Sequence, residues 1–115
     1  MAAEERSGEI ASEVSTGTSS ADGTRQSKDS DWTKFPVPDG FIINKDKTSV
    51  AVISERGSEH TYAVEYEDYV EIIPDTNILQ PTTIKAKTHA RSDRGSGGGG
   101  GGMKIKVTFY YVKYR

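Results

Sequence analysis

The chain has no cysteine among its 115 residues, only two histidines and a single tryptophan. The first absence excludes disulfide stapling, thiolate metal sites and a cysteine nucleophile, and it fits an intracellular setting. No apolar run approaches the roughly 20 residues that a membrane-spanning helix needs, so no membrane partner is expected. The opening segment, MAAEERSGEI, is acidic and has no apolar stretch of signal-peptide type. Segments of helical apolar period are also missing, which leaves strands to carry the fold. Apolar residues make up only 33% of the chain, at a mean hydropathy of −0.65, and that is low for a chain folded along its whole length.

Catalytic chemistry is thinly provided for. His60 and His89 stand far apart in sequence, and neither has a second ligand at metal spacing. Glu65, Glu67, Asp68 and Glu71 gather in EYEDYVE, but the segment lacks the loop pattern of a calcium site and reads as a solvated turn. No nucleophile elbow or P-loop occurs, and the glycine run has no helix behind it to cradle a phosphate. The expectation is therefore a protein that is not an enzyme, with no catalytic residues, no metal and no cofactor.

What is present is a sharp partition of charge. Residues 1–31 carry seven acids and three bases, and residues 32–80 carry nine and four. Residues 81–115 carry one acid, Asp93, against eight bases. Such asymmetry points either to an acidic partner or to an acidic strand of the same chain lying beside the basic one.

Residues 1–31 are rich in Ser, Thr, Gly and acids, with Ile10 and Val14 as their only large aliphatics, and read as a disordered acidic arm. Order is expected from Trp32, and residues 32–94 form the body of a β domain. Trp32 and Phe35 are placed at the edge of its core. Pro36 and Pro38 exclude a central strand there, and Pro38-Asp39-Gly40 signals a turn with Gly40 at positive φ. FIIN, TSVAVISE, HTYAVEY, YVEII and TTIKAKTH then alternate with period two. NKDK and ERGSE read as hairpin turns between them, the second with Gly57 at positive φ.

Residues 95–102 form a glycine-rich tether, and residues 103–115, MKIKVTFYYVKYR, are the strongest strand of the chain. Eight such residues span about 15 Å as a coil and about 27 Å extended, enough to cross a small domain. Three origins fit the tether: natural low complexity, a circular-permutation linker ahead of a former initiator Met103, or a fusion linker. In each case the last strand has to be paired, because exposed it would invite aggregation.

The fold class expected is all-β, a small antiparallel sheet of five or six strands arranged as a barrel or sandwich, behind a disordered N-terminal arm. The candidate binding surface comprises Lys104, Lys106, Tyr110, Lys113, Tyr114 and Arg115 on the last strand, with Arg91 and Arg94 ahead of the tether. The expected function is that of a non-enzymatic interaction or structural subunit with a protein partner. It acts by strand pairing and charge complementarity, within a larger assembly such as a virion. The alternative is a single-stranded nucleic-acid-binding barrel that uses the basic, aromatic last strand. The oligomeric state is left open.

Overall fold

The computed structural model describes residues 4–16, 26–92 and 100–115. Eight strands form two antiparallel sheets, each built around one long central strand. In the first sheet the centre is β8 (Gly102–Lys113), and β1 (Glu5–Ser15) runs along the whole of one edge, from Glu5 opposite Val112 to Ser15 opposite Gly102. The other edge of β8 is shared by β5 (Ser49–Arg56) and the short β4 (Phe41–Ile43). The second sheet repeats this plan. Its centre is β7 (Leu79–Ser92), flanked by the long β6 (Glu59–Glu71) on one side and by β2 (Gln26–Asp29) and β3 (Thr33–Pro36) on the other.

Alternation over Ile84–Ser92 of β7 and Met103–Tyr111 of β8 explains why these strands sit at the centres. On β8 the odd residues Met103, Ile105, Val107, Phe109 and Tyr111 are buried, and on β7 the even residues Ile84, Ala86, Thr88, Ala90 and Ser92 are buried. The two inward faces oppose one another, and β1 adds Ile10 and Val14. Phe109, with no exposed surface, anchors an aromatic cluster. The Phe35 ring meets it edge-on at 5.0 Å, and Phe41 packs against Tyr111 at 5.5 Å. Edge-to-face pairs of this kind add about 0.5–1.5 kcal/mol beyond the area they bury.

Small side chains on β7 let the sheets approach, and hydroxyl groups satisfy one another between them. Ser12 Oγ lies 3.0 Å from Ser30 Oγ and 3.1 Å from Thr88 Oγ1, and the Thr88 amide donates to Ser30 Oγ at 2.9 Å. This network fastens β1 to the second sheet along one side of the molecule.

The architecture is an open sandwich rather than a closed barrel, with eight strands in place of the five or six expected from the sequence. The disordered arm assigned to residues 1–31 does not hold for Glu5–Ser15 and Gln26–Asp29, which are strands; residues 1–3 and 17–25 lie outside the described residues. Two aliphatics were too few to order thirty free residues, but β1 does not stand alone. Eleven residues pair register-perfect along β8, and Glu9 and Glu13 meet Lys106 and Lys104, each pair at 3.7 Å. Trp32 also departs from expectation. It lies on the outer face of the second sheet, beneath Lys85 at 4.3 Å and Lys87 at 4.8 Å, while Phe35 does join the core.

Turns follow the sequence signals. The Phe41 amide donates to the Pro38 carbonyl at 3.1 Å, and Gly40 has φ 89°. Gly57 has φ 94°, and an added Cβ there would stand 2.5 Å from the Arg91 carbonyl oxygen. NKDK forms a 3-10 turn over Lys45–Lys47, capped by the Asn44 side chain. HTYAVEY and YVEII merge into the single strand β6, interrupted only at Asp68, whose φ of 61° suits an aspartate.

Candidate functional site at the open side of the sandwich

The basic surface expected from the sequence is not one surface. Lys104, Lys106 and Tyr110 share the outer face of the first sheet, where the two lysines face Glu13 and Glu9 and the Tyr110 ring lies under Lys47 at 5.7 Å. Lys113 ends β8, and its amide donates to the Glu4 carbonyl. Arg115 turns back to Asp39 at 2.7 Å and over the Tyr114 ring at 5.6 Å. Arg91 is on the other sheet, 3.5 Å from Glu59. Arg94 lies outside the described residues. Much of the positive charge of the last third of the chain is thus met by acids of its first two thirds.

The outer face of the second sheet repeats this pairing. Glu67 accepts from Lys34 at 2.9 Å and from Lys85 at 3.2 Å, with Glu65 3.9 Å from Lys85. These hydrogen bonds, Lys34 first, hold the Glu67 carboxyl below its usual value, and Glu67 in turn raises the Lys34 ammonium. His89 faces Asp29 at 2.7 Å and Glu59 at 3.1 Å. Among the described residues no three His, Cys, Asp or Glu side chains are grouped as a metal site.

A different feature stands out on the side away from β1. The sequence reading treats β5 and β6 as a hairpin, but they diverge at Gly57 and enter different sheets. Each pairs with a central strand, β5 with β8 and β6 with β7, and among the described residues neither has a backbone partner on its other edge. The gap between them is bounded at one end by His60 Nε2 and Glu55 Oε2, 3.1 Å apart. At the other end the Tyr66 hydroxyl donates to Thr48 Oγ1 at 2.8 Å.

Between these two clasps, Val50 and Val52 on β5 sit opposite Val107 and Ile105, and Tyr62 and Val64 on β6 sit opposite Thr88 and Ala86. All four therefore belong to the inward faces. Yet Val52 is 46% exposed and Tyr62 45%, because among the described residues no strand or loop covers this side. The slot runs from His60 to Tyr66, roughly 20 Å at the rise of a strand.

Sequence reasoning missed this site for a physical reason. Alternation tells which residues share a face, but whether a strand has one neighbour or two is decided by the topology of the whole chain. One local signal was available: β6 holds five acids and no Lys or Arg, which is edge chemistry rather than centre chemistry.

Comparison of the chain with protein-family models, with curated proteins and with solved structures finds no match.

Proposed function

We propose that this protein is a non-enzymatic interaction module that takes up an extended segment of a protein partner along the open side of its sandwich. The observation that carries this reading is the pair of edges, β5 and β6, that have no backbone partner among the described residues and flank the inward-facing Val52 and Tyr62, each about half exposed. An added strand gains main-chain hydrogen bonds from an edge and buries alternate side chains against Val52 and Tyr62. Apolar area covered there contributes about 25 cal/mol per Å². Membership of a larger assembly, such as a virion, accords with a module whose contact surface is an incomplete sandwich.

The nucleic-acid reading has one observation in its favour, the Trp32 ring flanked by Lys85 and Lys87. Against it, Lys85 is already engaged by Glu65 and Glu67, and neighbouring carboxylates repel phosphate.

One titration separates the two. Ten-residue peptides that alternate valine with lysine, glutamine or glutamate, and a single-stranded oligonucleotide, are each added to the full chain at about 50 and 200 mM salt. At least one peptide is expected to bind saturably and to lose affinity in a Val52→Glu variant. Oligonucleotide binding with a steep salt dependence, and no response to any peptide, would replace this reading with the nucleic-acid one.

A further inference from the structure

We infer that the acceptor edge is β6, and that its occupant is an extended segment of another protein in which apolar residues alternate with lysine or arginine. This inference rests on the slot described above and adds the chemistry of the partner.

Two observations choose β6 over β5. The pairing of β5 with β8 shifts register between Val52 and Ser54, a bulge that interrupts the edge in the middle of the slot. Bulges are among the devices that keep an edge from pairing. By contrast, β6 pairs without a shift from Glu59 to Glu67 and has no proline, lysine or bulge along that length. What guards this edge is its row of carboxylates, a device that a basic segment neutralises.

Charge then selects the occupant. The outward row of β6 reads Glu59, Thr61, Ala63, Glu65, Glu67. Among the described residues, lysines and arginines approach these carboxylates from β7 and β3, on one side, and Glu65 keeps 58% of its side chain exposed at 3.9 Å from Lys85. A strand laid on the free side would put its outward residues beside this row while its inward residues cover Tyr62 and Val64. The molecule already uses this arrangement once: acidic β1 lies beside β8, whose Lys104 and Lys106 alternate with buried Met103, Ile105 and Val107.

A second copy of the chain fits poorly. Pairing β6 with another β6 sets acids beside acids, and the exposed end of the β6–β7 hairpin, with Ile73, Ile78 and Leu79, carries Glu71 and Asp75 and no base. The strands of suitable pattern in this chain, β7 and β8, are both committed to sheet centres.

The test uses the full chain, isotopically labelled, with the three decamers named above. The lysine peptide should shift the amide resonances of residues 60–66 and bind at least tenfold more tightly than the glutamate peptide. Its affinity should fall about three- to tenfold in Glu65→Lys and stay within twofold in Thr61→Ser, both checked for an unchanged spectrum elsewhere. Equal binding of the glutamine or glutamate peptide, or shifts on β5 in place of β6, would overturn the partner chemistry and leave the slot as the contact surface. Self-association through β6 would overturn it as well. If no peptide perturbs either edge, the proposed function falls together with this inference.

Discussion

At the scale of the residue, two positions carry more than their size suggests. Gly8 on β1 faces the flat of Phe109, and an added Cβ would stand 2.6 Å from its ring. Phe109 is fully buried and locked among Phe35 and Tyr111, so the ring has no room to yield. Gly8→Ala should therefore destabilise the fold by about 1–3 kcal/mol, as overpacking does, in an equilibrium urea titration. An unchanged midpoint would mean that β1 is not seated on the core. Glu67 is the second. Its carboxyl titrates below the ordinary value of 4.5, so its contribution is present above that pH and is lost as pH falls through the lowered value. Lys34 titrates above its ordinary 10.5, so its share is present below that pH and is lost as pH rises through the raised value. The stability difference between wild type and Glu67→Gln should hold steady near neutrality and shrink at both extremes. A difference independent of pH would contradict the pairing.

At the scale of the element, β1 decides whether the first sheet has a covered or an open second edge. Deleting residues 1–16 would expose the apolar surface under Ile10 and Val14, leave Lys104 and Lys106 without Glu13 and Glu9, and strip the Ser12 hydroxyl from Thr88. Two aliphatics at about 1.5–3 kcal/mol each imply a fall in melting temperature of roughly 10 °C or more, read by calorimetry. An unchanged melting temperature would restore β1 to the status of a free arm. The same element shows where sequence reading stops. The alternation of β8, the turns at Gly40 and Gly57 and the joining of Phe35 to the core could all be read locally, because each rests on side-chain period or on a demand for positive φ. The order in β1 could not, since its apolar content is small and its stability comes from a strand almost a hundred residues away. The paired charges of β1 and β8 were visible as composition, but their register was not. The open side was illegible for a related reason: a turn at Gly57 predicts a hairpin unless two better partners, β7 and β8, compete for its arms.

At the scale of the whole molecule, the acid-rich first two thirds and the base-rich last third are reconciled by interleaving. Acidic β1 and β6 lie beside basic β8 and β7, one pair in each sheet. The two sheets are clasped along β1, β2 and β3, whereas among the described residues β5 and β6 meet only at the His60–Glu55 and Tyr66–Thr48 contacts and stand apart between them, so the molecule is asymmetric in a way that composition alone does not show. That open side is the centre of the functional reading. It is tested most directly by residue-resolved amide hydrogen exchange on the full chain, with and without the valine–lysine decamer. In the free protein, the outward amides of β6 between His60 and Tyr66 should exchange much faster than those of β7, and the peptide should slow them at least tenfold while leaving β1 unchanged. Outward amides of β6 already protected in the free protein, or protection by the peptide appearing only on the outer face of the first sheet, would contradict it.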